Sequence, residues 1–235
     1  VTESISEKHS ESRIRLSRIQ KIIGQRMLES KQTKPCFYLS AKADVTEFMD
    51  MRHELKKITG IKITSNAFYI RVLSMAAVEY PLTLAKSDGQ NLIIADSINV
   101  GFAVNAPQGL VVPVVKNADK MSIVDIAKTE KILTEKARAN TLSLDEISGE
   151  TIALSNLGVY GIDRFIGIVP PPATVILAVG NTLHQAVPAH GRITERKLVS
   201  LNVAADHTVI NGDYAAKFLR RITELLANPK SLIQD

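Results

Sequence analysis

Apolar residues recur along this chain in two rhythms, one of three to four residues and one of two. From Arg13 onward the pattern changes: in RLSRIQKIIGQRMLES (15–30), Ile19, Ile22, Ile23 and Met27 fall on one side and Ser17 stands before them as an N-cap, so a first helix with a basic outer face is predicted. The rhythm then shortens. CFYLSAKADV (36–45) alternates as a strand does, and the DVTE that ends it offers Asp44 and Glu47 as a capping box ahead of Phe48, Met51, Leu55 and Ile58. Another helix is predicted from Ser65 to Tyr80, stopped by Pro81, and an Asp88-Gly89 turn separates it from the strand-like NLIIADSINVGFAV. GLVVPVV (109–115) reads as one continuous apolar strand in which Pro113 implies an edge or a bulge.

Ser122 and Asp125 make a second capping box, opening a helix with Ile123, Ile126, Ala127, Leu133 and Ala137 on one face. TIALSNLG and ATVILAVG, beyond Gly149, read as buried strands on either side of a VPPP loop, and RKLVSLNVAAD (196–206) as another strand. The last helix begins near Asp213 and buries Ala215, Phe218, Leu219, Ile222, Leu225 and Leu226, the strongest helical periodicity in the chain; Asn228-Pro229 ends it. Strand hairpins mixed with a few long helices predict an α/β sandwich with a largely mixed sheet, whose strand order the pattern does not fix.

Composition narrows the function classes. The 235 residues suffice for one large domain or two small ones. VTESISEKHSES (1–12) is polar and charged and reads as a flexible linker remnant in which His9 is solvated, leaving 13–235 as the structured domain. A net charge of +5 would suit nucleic acid, an anionic cofactor or acidic partners. Nucleic acid is disfavoured, because Trp is absent, aromatics are 5% and the cations are spread over several helices without stacking residues between them. Cys36 is the only cysteine, which excludes an internal disulfide framework and a zinc-type cysteine spacing and fits a reducing compartment, bacterial cytosol or mitochondrial matrix. No eighteen-residue apolar run and no leader pattern occurs, so no membrane association is expected.

Candidate chemistry gathers in AADHTVINGDYAA (204–216), where His207 stands at a strand-to-helix junction. A histidine beside a turn is more often a hydrogen-bonded structural residue than a catalyst. Asn211-Gly212 is a good turn former, Asn211 can cap the following helix, and Asp213 suits that helix's positive end.

Three further stretches change this balance: PCFYLSAKADVTEFMDMRHEL, INVGFAVNAPQGLVVPVVKNADKMSIVDIA and TIALSNLGVYGIDRFIGIVPPPATVILAVG. With DHTVING, which matches a D-H-R-x-x-D-G hallmark, they make a set that resembles the catalytic core of dihydrolipoyl acyltransferases of 2-oxo acid dehydrogenase complexes, over about residues 14 to 235. The resemblance implies a chloramphenicol acetyltransferase-like sandwich with a mixed sheet and flanking helices, trimeric, that moves an acyl group between dihydrolipoamide and coenzyme A without an acyl-enzyme intermediate. In such a site His207 is the base that takes a thiol proton and Ser155 the hydroxyl donor to the tetrahedral oxyanion. An imidazole near ~6.5 is matched to a thiol near ~8.5. The chain departs from the hallmark at Thr208, where Arg is usual, and at Asn211, where Asp is usual; Asn keeps hydrogen-bonding geometry without the charge. Coenzyme A contacts carry over by motif to Arg52, Thr64, Asn105, Ser155, Asn156, Gly180 and Thr182, with Asn105 standing where Asp is common.

The resemblance further implies a homotrimer whose site combines His207 of one chain with Ser155 of a neighbour, and trimers that build cubic or dodecahedral cages. The lipoyl group arrives on a domain outside this sequence, and decarboxylase and dihydrolipoyl dehydrogenase subunits join through upstream domains. Acetyl is the favoured acyl group, with succinyl, branched-chain and acetoin-derived groups as alternatives. A non-catalytic core subunit, and an acetyltransferase with a small free acceptor, are the competing classes. Leu232 and Ile233 in the terminal SLIQD form an apolar tail that docks on another trimer or frays. Of the other histidines, His53 is expected on an exposed helix, and His184 and His190 in or near a hairpin loop, none with chemistry.

Overall fold

The structure, a computed structural model, describes residues 15–16, 18–189 and 191–233. The expected linker, the Ser17 cap and His190 lie outside the described residues, as does the side chain of Ile19. The chain runs through α1 (Arg18–Thr33), β1 (Cys36–Asp44), α2 (Thr46–Thr59), α3 (Ser65–Glu79), β2 (Ala85–Ser87), β3 (Leu92–Ile94), β4 (Val100–Phe102), β5 (Val104–Ala106), β6 (Gly109–Val111) and β7 (Val114–Val115). It continues with α4 (Ile123–Ala139), β8 (Ile152–Asn156), β9 (Val175–Ala189), β10 (Arg192–Asp206) and α5 (Gly212–Ala227).

Six strands form one mixed sheet in the order β1-β10-β9-β8-β4-β7, parallel only where β8 pairs with β4 and β9. Its two faces bury different residues, because successive side chains alternate. Phe37, Leu39, Val203, Leu177 and Leu154 face the main core with the helices; α5 brings Ala215, Phe218, Leu219, Ile222, Leu225 and Leu226 to it, all buried. The opposite face carries the small residues Ala153, Ala204 and Cys36 with Ile176, closed by Val169 and Ala173 of the long β8–β9 connection.

Local chemistry explains most boundaries. Ser122 accepts a hydrogen bond from Asp125 N at 3.1 Å and donates to its carboxylate at 2.8 Å, so α4 starts as predicted, with all five predicted core residues buried. Asn211 caps α5 by accepting from Tyr214 N at 2.9 Å. The predicted Asp44–Glu47 box does not form: Val45 is the N-cap of α2 without a side-chain bond, and Asp44 instead holds the Thr46 amide and hydroxyl. Ile58 is 80% exposed and Ile22 also stands in solvent, so neither joins its helix's buried face. The 109–115 run is not one strand. Its first half, β6, pairs with β5 in a separate two-stranded sheet, and its second half, β7, is an edge of the main sheet. Pro113 lies between them with its carbonyl accepting from Phe102 N. β9 and β10 form a longer hairpin than predicted, placing His184 inside β9 opposite Lys197 instead of in a loop. Leu232 is 1% exposed and belongs to this chain's own core, which leaves only Ile233 of the proposed tail on the surface.

Candidate active site

The predicted site residues divide between two ends of the sheet. At the carboxyl ends of the parallel strands, where open α/β sheets habitually present ligand sites, Ser155 and Asn156 close β8 in register with Ala178 and Val179 of β9. Asn156 donates to Asn66 of α3 at 2.8 Å and accepts from Gly158 N at 2.9 Å, tying the start of α3 to this end. Thr64, two residues earlier, caps α3 by accepting from Ala67 N and gives its own proton to Glu130 at 3.1 Å. Arg52 is half-buried and donates to the carbonyl of Ile63 at 3.1 Å; burial lowers its guanidinium from the ordinary range. Asn105 follows β4 past Phe102, which pairs with Leu154, and is exposed on β5. Thr182 lies farther along β9, opposite Val199. Arg52, Thr64 and Asn156 are thus joined by short bonded steps, and Leu157, after Asn156, donates to the carbonyl of Val179, next to Gly180.

Gly180 sits within β9, where the register with β10 shifts around Ser200. The loop after β8 crosses directly over it, so a methyl group there would lie 2.0 Å from the Asp163 carbonyl oxygen, while one at Gly158 would lie 2.5 Å from the oxygen of Gly180. Gly180→Ala is expected to lower stability by about 1–3 kcal/mol or more, because backbone and not a flexible side chain must give way. Denaturant midpoints of the two proteins measure it, and an unchanged midpoint would refute the packing.

Two residues of this end are absent from the sequence-based set, Asn66 and Glu130. Glu130 is 6% exposed on α4 and lines a cleft of about 650 Å³ with Thr64, Lys62, Lys131, Thr134 and Arg138. Burial raises its carboxyl above the ordinary value, opposed by hydrogen bonds from Thr64 and Thr134. Its signal was a carboxylate in the apolar stripe of α4, between Ala127 and Leu133, a pattern that marks a buried polar residue with partners. The polar asparagine had no such signature.

His207 lies at the other end. It follows β10 in a turn, exposed, with its N–H donating to Pro35 O at 3.1 Å and its ring 4.7 Å from that of Phe37, tilted by 54°. Asp206 before it is 3% exposed and accepts from the Thr208 amide at 3.0 Å, the Thr208 hydroxyl at 2.7 Å and Lys34 Nζ at 3.0 Å. Burial alone would push this carboxyl up; the Thr208 and Lys34 donors outweigh it and hold Asp206 below its usual value. Asn211 is exposed and its side-chain oxygen is spent on capping α5.

Register separates the two ends. Ser155 aligns with Ala178 and through it with Asn202, five positions before His207. At a rise of about 3.4 Å per residue and about 4.8 Å between strands, Ser155 and His207 of one chain stand on the order of 20 Å apart. One chain therefore does not bring the His207 imidazole and the Ser155 hydroxyl together. Among the described residues no group of three or more His, Cys, Asp and Glu side chains could hold a metal ion, and no helix is long and apolar enough to cross a membrane.

Comparison with known proteins places this geometry. Residues 8–234 match the family model for 2-oxoacid dehydrogenases acyltransferase (catalytic domain). Two curated relatives from Rickettsia bellii are the acetyltransferase component of a pyruvate dehydrogenase complex, 35% identical over 92% of this chain and 52% of the relative, and the succinyltransferase component of a 2-oxoglutarate dehydrogenase complex, 36% identical over 94% and 56%. The chain spans about half the length of the curated relatives it matches. Among solved structures, a dihydrolipoamide acetyltransferase of Azotobacter vinelandii, studied for the role of a serine, a histidine and an asparagine in its catalytic mechanism, superposes with a TM-score of 0.92 at 29% identity, covering 100% of this chain and 99% of that one. The cubic core of a pyruvate dehydrogenase multienzyme complex gives 0.92 at 30% identity, covering 100% and 99%. A chloramphenicol acetyltransferase shares the fold alone, at a TM-score of 0.54 and 13% identity over 86% of this chain and 94% of that one. The chain belongs to the 2-oxoacid dehydrogenase acyltransferase family, as its catalytic domain.

Proposed function

We propose that this protein transfers an acyl group, acetyl by preference, between the thiol of dihydrolipoamide and the thiol of coenzyme A, in a site shared by two protomers of a trimer. His207 Nε2 or Nδ1 takes the proton of the attacking thiol, and the thiolate adds to the thioester carbonyl. Ser155 of the neighbouring protomer donates a hydrogen bond to the resulting oxyanion. Collapse of the tetrahedral adduct breaks the other carbon–sulfur bond, and the departing thiolate recovers the proton from the imidazolium. Arg52, Thr64, Asn105, Asn156, Gly180 and Thr182 hold coenzyme A, its anionic groups drawn by the cationic rim of the cleft beside Thr64.

One observation supports this reading most. Ser155, His207 and Asn211 stand at intervals of 52 and four residues, the same intervals as the serine, histidine and asparagine investigated in the Azotobacter enzyme. Asn211 is then a shared residue and not a lesion, and its role includes fixing the start of α5 behind the catalytic turn. The trimers assemble further into a cage that receives lipoyl groups from domains outside this sequence, in the bacterial cytoplasm.

Relatives of both acyl specificities match about equally, so a thiol-exchange assay decides. With acetyl-CoA, succinyl-CoA and isobutyryl-CoA offered to free dihydrolipoamide, acetyl-CoA is expected to give the highest kcat/KM. A preference for succinyl-CoA would replace the acetyl assignment, and no transfer from any of the three would make the chain a structural subunit.

A further inference from the structure

We propose that Lys34 and Phe37 are positioning residues for the His207 base, and that the run Lys34-Pro35-Cys36-Phe37 forms a cradle for it; this rests on the acyl-transfer reading above. All four residues touch the catalytic turn. Pro35 fixes the His207 backbone, Cys36 pairs in register with Asp206, the Phe37 ring packs on the imidazole, and Lys34 neutralises the Asp206 carboxylate. The run is itself anchored, since Lys34 N donates to Ser30 O at the end of α1 and Ser30 donates to Val169 O across the molecule.

The ion pair has an electrostatic task besides a structural one. Lys34 and Asp206 are both largely buried, with side chains 13% and 4% exposed, where opposite charges act strongly on each other and on their neighbours. Without Lys34 the Asp206 carboxylate would be buried and unpaired, and the two Thr208 bonds that shape the turn bearing His207 would have to rearrange around it. Lys34 removes that cost. Among the described residues the groups facing Asp206 are Lys34 and the Cys36 thiol, which burial and Asp206 push up; Lys31 acts on that thiol from α1, and Asp213, at the start of α5, is paired with Lys217. Phe37 supplies the flat surface that restricts the ring's rotation.

Two readouts separate this from general stability. The division of a loss between kcat and KM shows whether the base is misplaced, and the rate at which diethyl pyrocarbonate modifies His207 at one fixed pH, followed by mass spectrometry on the tryptic peptide 198–217, reports on the ring without turnover. In Lys34→Met kcat is expected to fall about tenfold with KM for both thiols nearly unchanged, and the modification rate to change about twofold or more. Lys34→Gln, which keeps a donor to Asp206 but no charge, behaves likewise, and Lys34→Arg restores both readouts. Phe37→Leu lowers kcat about tenfold or more with KM for both thiols nearly unchanged, and Phe37→Tyr recovers most of it. Wild-type kcat and modification rate in both neutral Lys34 variants, or wild-type kcat in Phe37→Leu, overturn the inference. Absence of transfer by the wild-type protein sinks the functional reading instead, while the modification rate still tests Lys34.

Discussion

His207→Ala is expected to lower acyl transfer from acetyl-CoA to dihydrolipoamide by about 10³-fold or more, a loss of about 4 kcal/mol of transition-state stabilisation. The size follows from what the proposed mechanism asks of the imidazole twice in each turnover, to take a proton from one thiol and return it to the other. Stability should hardly change. The ring is exposed, its backbone N–H keeps the Pro35 carbonyl in the variant, and the adjoining Asp206 network does not use the imidazole. The fall should appear in kcat with KM for coenzyme A within a few-fold, because the residues assigned to that substrate lie at the other end of the sheet. Measured kcat/KM together with an unfolding midpoint checks both halves, and wild-type turnover in the variant removes His207 from the mechanism.

The second large effect is a recovery. Ser155→Ala alone is expected to lose about 10²- to 10³-fold, the usual value of one oxyanion donor. Mixed with His207→Ala subunits during assembly, it should regain activity, since the two residues are on the order of 20 Å apart in one chain and, in the proposed trimer, meet across a subunit boundary. In a randomly assembled equimolar trimer about one quarter of the sites pair an intact His207 with an intact Ser155 of the next protomer. Turnover near one quarter of wild type, from two preparations that are each nearly inactive, is therefore expected. A site contained in one chain would give no recovery at all, and that outcome would reject the shared-site geometry.

Asn211 illustrates how a residue's meaning depends on context. Read against the D-H-R-x-x-D-G hallmark it is a departure that keeps hydrogen-bonding geometry but loses the charge. In the folded chain it caps α5, and the Azotobacter enzyme's catalytic study names an asparagine at the same interval from its histidine. Thr208 is similar. It supplies no cation, yet its amide and hydroxyl both hold Asp206, and the cation comes from Lys34, whose position 172 residues away in sequence gave no hint of the pairing.

The local pattern was legible where one stretch of chain suffices to satisfy its own chemistry. The stripe of α5, the Ser122 cap and the stop at Pro81 depend on residues within a few positions of one another, and the structure follows them. The DHTVING stretch likewise carried the candidate base in its own letters. Reading failed where a distant partner competed. Asp44 had a local capping option but bonds Thr46, whose hydroxyl also accepts from Lys197 N; the 109–115 run was divided between two sheets because β5 and β4 claim its halves.

The same distinction holds for the site. Sequence by itself determined which chemical groups are available, the imidazole of His207, the hydroxyl of Ser155 and the turn that exposes the first, since these are properties of residue type and near neighbours. Only the tertiary structure decided that the two stand at opposite ends of one sheet, that Gly180 lies under a crossing loop, and that a largely buried lysine neutralises the carboxylate beside His207. Those arrangements are set by strand register and by contacts between segments far apart in the chain, and register is a collective outcome of packing that no short stretch of letters encodes.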